Sequence, residues 1–278
     1  MSVFIASLNS GSNANCYYVG NRSEAVLIDA GLSCRETEKR MKQLGLDMQK
    51  VKAVFISHEH TDHINGLERL HKTFQLPVYI TPQTFLNCNL NFEQHLVNYF
   101  TRDSAVQIGA LTILPFSKSH DANDPHSFMI SCYEIFVGVI TDIGYACEEV
   151  INCFKKCDAV FLEANYCEEM LANGNYPFYL KKRISSNMGH LSNAQALEVF
   201  LKYRSDKLQL LILSHLSKNN NTPQLVNKLF SDHGAGVQII VASRDKGTDV
   251  FEITTAKKLP ALQTKKTEKK YQEQLSLF

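Results

Sequence analysis

No stretch of the 278-residue chain approaches 18 consecutive apolar residues, so no membrane-spanning helix is expected. The opening segment, MSVFIASLNSGSN, has neither the basic start nor the long apolar centre of a secretory leader, and a cytoplasmic location is expected. The eight cysteines include no CxxC pair. The nearest two, Cys153 and Cys157, have helical i, i+4 spacing, and all eight are read as reduced thiols rather than metal ligands. Tryptophan is absent, which by itself excludes nothing. Net charge is also scarce, at +1, so the molecule as a whole does not advertise a nucleic-acid partner.

What is present fits an ordinary globular protein: 44% apolar and 21% charged residues, in a length suited to one large domain or two small ones. The charge is unevenly placed. From Lys257 onward there are six Lys and two Glu, a local balance of +4, against −3 for residues 1–256. Residues 1–256 are therefore expected to form the folded domain, and 257–278, which lose hydrophobic periodicity, a flexible basic tail.

Short runs rich in Val, Ile and Phe alternate with amphipathic stretches. Strands are expected at 2–8, 16–20, 24–29, 53–57, 77–81, 111–117, 127–133, 135–142, 159–164, 208–214, 237–242 and 249–253. Helices are expected at 33–45, 65–74, 82–89, 146–156, 192–204 and 222–231. Ser192 with Gln195 reads as a capping box, and Thr222-Pro223 as an N-cap with proline at the first helical position. The pattern implies a layered α/β protein with mixed sheets.

The chemistry is densest in SHEHTDHINGL (57–67), directly after the apolar run AVFIS. His58 and His60 alternate, and Asp62 and His63 follow as the chain turns toward a helix. Imidazole and carboxylate suit borderline divalent metals. Further ligand-type residues stand at the ends of other strand candidates: His120 in PFSKSHD, Asp142 in VITDIG and His215 in LILSHLS. His71, His95, His126 and His233 lack that placement and are read as ordinary.

HEHTDH matches the HxHxDH motif of the metallo-β-lactamase-fold hydrolases, and the order of the remaining candidates resembles that superfamily along nearly the whole body. The resemblance implies a four-layer αβ/βα sandwich with two mixed sheets and two divalent ions, Zn2+ or Mn2+, at one edge. It implies that His58, His60 and His120 hold the first ion, that Asp62, His63 and His215 hold the second, and that Asp142 bridges them. Asp29 in VLIDAG resembles the superfamily's first motif, which supports the metal loop without binding metal.

The choice of branch depends on residues outside the ligand set. Glu163 ends a strand candidate, Lys181, Lys182 and Arg183 form a basic triplet, and His190 opens GHLSNAQA just before the Ser192 cap. Glu163 and GHLSNAQA resemble the signature of tRNase Z-type phosphodiesterases. EANY, MLANGNYPFYLKKRISSNMGHLSN and LSHLSKNNN together resemble the WalJ (YycJ) subfamily more closely. Two departures are the SGSNANC segment, where a glycine is expected near Ala14, and His126, where the subfamily carries a small or apolar residue. What this implies is a metal-dependent phosphodiesterase acting on DNA as an exonuclease, in repair or replication. Asp62, His190 and Glu163 would serve the chemistry, with Glu163 orienting His190. Lys181, Lys182 and Arg183 would hold phosphates outside the cleft. The alternative is a small-molecule hydrolase, such as a cyclic phosphodiesterase or lactonase.

The chain ends in apolar residues. QLSLF resembles the peptide by which DNA enzymes dock on the bacterial sliding clamp. The resemblance implies that Gln274 bonds at a pocket rim while Leu275, Leu277 and Phe278 fill it.

Overall fold

The computed structural model describes residues 2–234 and 236–255. The first sheet is built from β1 (Ser2–Asn9), β2 (Cys16–Gly20), β3 (Ala25–Ile28), β4 (Val51–Phe55), β5 (Val78–Ile80) and β6 (Val97–Tyr99). The second begins with β7 (Val106–Ile108), β8 (Leu111–Ser117), β9 (His126–Cys132) and β10 (Ile135–Ile140), and continues through β11 (Ala159–Glu163), β12 (Leu210–Ser214) and β13 (Gln238–Val241). Strand β14 (Phe251–Thr254) returns to the first sheet and pairs antiparallel with β1, Val3 facing Ile253. Each sheet thus has seven strands, in the orders β14-β1-β2-β3-β4-β5-β6 and β13-β12-β11-β10-β9-β8-β7. Both are mixed: β3 to β6 run parallel, as do β10 to β13, with antiparallel strands completing each sheet.

The alternation of side chains decides the layers. In β2, Tyr17 and Val19 face the second sheet, while Cys16 and Tyr18 face helices. In β11, Ala159 and Phe161 point inward, while Val160 and Leu162 point to the other helical layer. Strands buried on both faces are why these runs read as continuously apolar in the sequence. In the central core, Phe55 stacks on Tyr79 at 4.6 Å and meets Phe128 edge-on at 5.8 Å. Truncating such a ring costs about 3–5 kcal/mol.

The first sheet is covered by α1 (Cys34–Gln43), α2 (Thr61–Ile64), α3 (Leu67–Phe74) and α4 (Pro82–Asn87). Beyond β10 come α5 (Glu148–Phe154), α6 (Glu168–Asn173), α7 (Phe178–Ile184), α8 (Asn193–Tyr203) and α9 (Pro223–Ser231), of which α5, α8 and α9 cover the second sheet. The expected αβ/βα sandwich is therefore present. Both expected caps form: Ser192 and Gln195 bond reciprocally, and the Thr222 side chain accepts from the Leu225 amide.

The structure corrects the element list in three places. Strands β6 and β7, three residues each, lie outside the expected strands. Helices α6 and α7 lie in 165–191, a stretch without a helical reading in the sequence. The helix expected at 65–74 starts at Leu67, because the chain breaks at Gly66 after the short α2. A Cβ at Gly66 would lie 1.7 Å from the Leu32 carbonyl oxygen, so only glycine lets the backbones touch there.

Candidate active site

The chemistry gathers where the carboxyl ends of β3, β4, β10, β11 and β12 meet, the usual ligand-binding end of parallel strands. Three of its residues leave their strands in the left-handed region: Asp29 (φ 62°), Asp142 (φ 55°) and His215 (φ 56°). Such backbone is costly for a residue with a Cβ, less so for Asp and His, and it persists where the surroundings impose it. Here it swings the side chains off the sheet ends into a common space.

The loop after β4 delivers the motif residues. His58 Nε2 lies 3.0 Å from His60 Nδ1, and His120 Nε2 lies 3.3 Å from the same atom. A second group forms from Asp62, His63 and His215: His63 Nε2 is 3.4 Å from Asp62 Oδ2, and His215 Nε2 is 3.5 Å from it. Asp142 stands between the groups, with Oδ2 3.3 Å from His63 Nε2 and Oδ1 4.0 Å from His120 Nε2. The structure thus brings together all seven residues singled out in the sequence as ligand candidates.

Their supports are equally specific. Asp29 accepts from the Ser57 amide and the Ser57 hydroxyl, each at 2.8 Å, and from His63 Nδ1 at 2.7 Å. His120 Nδ1 donates to the Gly189 carbonyl at 3.0 Å, and Asn165 Nδ2 donates to the His215 carbonyl at 2.8 Å. Such outer bonds fix ring orientation and tautomer. Gly31 allows the close approach behind the loop, since a Cβ there would fall 1.8 Å from the Asp62 carbonyl oxygen.

The donor set fits divalent metal. Asp142 Oδ2 and His215 Nε2 are buried without a hydrogen-bond partner, which in a polar cluster points to a cation they would share. Electrostatics agree. Burial pushes His58 well below the ordinary imidazole range, and His120 down to about 3, which leaves neutral lone pairs. Burial also opposes charge on His63 and His215, yet neighbouring carboxylates, Asp142 foremost, pull His63 well above that range and His215 up to about 10. This half of the site calls for positive charge, which a metal ion supplies while leaving the rings neutral and able to ligate.

Glu163, wholly buried, joins the cluster to His190. Its Oε1 lies 2.9 Å from both His190 Nδ1 and His215 Nδ1, and its Oε2 accepts from the amides of Ile143 and Leu191. Burial disfavours its charge, but His190 and His215 hold the carboxyl down to about 2. The His190 side chain keeps 18% exposure, so its free Nε2 edge can meet a substrate. Of the basic triplet, Lys181 donates to the Ala172 carbonyl and Arg183 pairs with Asp121 beside His120, while Lys182 stands exposed.

Sequence reasoning missed two supports, Asn15 and Lys118. Asn15 donates to Asp62 Oδ2 at 3.0 Å and lies 3.1 Å from His63 Nε2; its place in the Ser/Asn-rich turn SGSNANC was the available signal. Lys118 is buried and donates to the Thr141 carbonyl at 2.8 Å, directly before Asp142. Asn221, in the loop after His215, is also buried and donates to the carbonyls of Ala164 and Asn165. The departure at Ala14 is accommodated in the outer core of the first sheet. His126 and His71, read as ordinary, are both buried; the His126 amide donates to the Ser57 carbonyl behind the motif loop, and His71 packs on Phe92. Residues 257–278, with Gln274, Leu275, Leu277 and Phe278, lie outside the described residues.

Two mixed seven-stranded sheets in an αβ/βα sandwich, with a divalent-metal donor set at one end, define the class of protein. The chain belongs to the beta-lactamase superfamily, whose domain matches residues 24–216. It is 32% identical over 249 residues to Exodeoxyribonuclease YycJ of Bacillus anthracis, covering 85% of this chain and 92% of that protein. It is 30% identical over 262 residues to Exodeoxyribonuclease WalJ of Streptococcus pneumoniae, covering 88% and 96%. Among solved structures, the metallo-beta-lactamase fold protein YhfI of Bacillus subtilis has the same fold, with a TM-score of 0.70 at 18% identity over 91% of this chain and all of that one. No helix among the described residues is long and apolar enough to cross a membrane.

Proposed function

We propose that this protein is a metal-dependent exodeoxyribonuclease. The observation that carries the reading is the His190–Glu163 pair beside the metal-type cluster, 2.9 Å between Nδ1 and Oε1. The near full-length similarity to proteins named exodeoxyribonucleases supports DNA as the substrate. His58, His60 and His120 would hold one divalent ion, and Asp62, His63 and His215 a second, with Asp142 between them. Zn2+ and Mn2+ both suit such donors. When bound, the ions polarise phosphoryl oxygens and lower the pKa of water to near neutrality.

The protein's own groups do the rest. Glu163, ionised and buried, holds His190 by Nδ1, so Nε2–H faces the cleft. From there His190 donates to the scissile phosphate or protonates the leaving oxygen. Asp62, anchored by Asn15, orients the attacking water. Lys182 and Arg183 meet the phosphates that lead away from the scissile one. The test is nucleotide release from end-labelled single- and double-stranded DNA with Mn2+ or Zn2+ added. Stepwise release supports the reading. Turnover of a lactone or a cyclic phosphodiester, with no nucleotide released, overturns it in favour of a small-molecule hydrolase.

The proposal extends to domain organisation, with residues 1–256 as the hydrolase and 257–278 as a tail in which 257–273 act as a tether. The sequence QLSLF supports docking of Gln274, Leu275, Leu277 and Phe278 on a bacterial sliding clamp. Burying Leu277 and Phe278 would contribute ~1.5–3 kcal/mol each before the cost of ordering the peptide. Tethering would raise the enzyme's local concentration on clamp-bearing DNA. Removing residues 274–278 should preserve cleavage of free DNA and abolish clamp binding. A peptide of residues 268–278 that fails to bind the clamp at high micromolar concentration sinks this part.

A further inference from the structure

Helix α7 carries the two most exposed large apolar side chains among the described residues, Phe178 at 81% and Tyr179 at 73%. Adjacent aromatic rings so open to water are unusual unless they meet something. The helix is pinned across the cleft. Before its start, the Tyr176 hydroxyl accepts from Asn219, in the loop after His215. Near its end, Arg183 pairs with Asp121, next to His120. Its last residue, Ile184, accepts from the His190 amide at 2.9 Å. A rigid helix thus presents two rings at a set distance from the chemistry. From Phe178 to Ile184 the helix axis runs about 9 Å, a length two or three stacked nucleotides cover at ~3.4 Å each.

Charge says what the occupant is. From Phe178 to Ile184 the helix carries Lys181, Lys182 and Arg183 and no acidic residue. Spacing of i, i+4 places Phe178 with Lys182 and Tyr179 with Arg183. A second copy docking here through a two-fold axis would set these cations against themselves. A polyanion with π-faces fits both halves of the pattern. Bases inside a duplex keep their faces covered, whereas unpaired bases stack readily on protein rings.

We propose that Phe178 and Tyr179 are a stacking platform for the unpaired bases of a DNA strand whose phosphate enters the cleft. The proposal rests on the nuclease reading and narrows its substrate to ends with single-stranded character. The probe is a fluorescein-labelled single-stranded oligodeoxynucleotide, titrated in EDTA so that binding is read without cleavage. The full-length protein is compared with F178A/Y179A and F178L/Y179L. Both variants should melt with the parent and bind the oligonucleotide at least tenfold more weakly, since base–aromatic stacking is lost in each. The ratio of KM for single-stranded DNA to KM for bis(p-nitrophenyl) phosphate should rise by a similar factor. Undiminished binding by F178A/Y179A overturns the platform. So does recovery in F178L/Y179L, which shows that apolar area alone suffices. A dimeric parent and a monomeric F178A/Y179A, by sedimentation, reassigns the patch to self-association. If the parent itself neither binds nor cuts DNA, the nuclease reading falls as well, an outcome distinct from loss of the platform alone.

Discussion

Replacing Asp29 by Asn exchanges one carboxylate oxygen for an NH2 and tests how the metal-type loop is held. The backbone N–H of Ser57 donates to Asp29 Oδ1 at 2.8 Å and cannot reverse its polarity. The amide introduced by Asp29→Asn must therefore keep its oxygen there, and its NH2 must take the place of Oδ2. That position now accepts from His63 Nδ1 at 2.7 Å and from the Ser57 hydroxyl at 2.8 Å. The hydroxyl can rotate and accept instead. The imidazole can only move its proton to Nε2, the atom facing Asp62 and Asp142. A protonated Nε2 has no lone pair for a metal. Loss of such an outer partner typically costs 10–100-fold in metal affinity, which is about 1.4–2.7 kcal/mol. At fixed excess metal the same amount is lost from metal-linked stability, a fall in Tm of roughly 3–10 °C for a domain of this size. Metal content after dialysis and melting curves with and without EDTA would show it. The Tm difference should shrink sharply in EDTA. A D29N protein that retains the parent's metal content and affinity refutes the tautomer argument.

Asp142→Ala should abolish hydrolysis and deplete bound metal, because no neighbour can replace a carboxylate set between both histidine groups; two tightly held ions in that variant would sink the assignment. His190→Ala should leave metal and fold intact but slow DNA cleavage by roughly 10²-fold or more, with less effect on a diester whose leaving group needs no proton. Equal loss on both substrates would make His190 a phosphate binder instead. Gly31→Ala places a methyl group 1.8 Å from the Asp62 carbonyl oxygen, so the motif loop must shift; a drop in stability of at least ~2 kcal/mol is expected in chemical denaturation, and an unchanged midpoint would contradict the packing.

The candidate ligand cluster was legible in the sequence because its information is local. The donors lie at or a few residues beyond the ends of apolar runs that read as buried strands, and those ends fall on one edge of the two sheets. HEHTDH needed no tertiary knowledge to be read, nor did the Ser192 and Thr222 caps, whose bonds close within three residues. Tertiary structure decided what depends on distant partners. Asn15 reaches Asp62 across 47 residues, and Arg183 reaches Asp121 across 62. The Ser/Asn-rich turn around Asn15 marks a turn but does not name Asp62 as its partner, and nothing near Arg183 in the chain announces Asp121. Strands β6 and β7 exist because neighbouring strands supply their hydrogen bonds, β6 along β5 and β7 along β8, more than because of their own short patterns. The same reason separates the three cations of α7. Equivalent as letters, they differ once the fold places Lys181 against a carbonyl and Arg183 against a carboxylate and leaves Lys182 in water, with Phe178 and Tyr179 uncovered beside them.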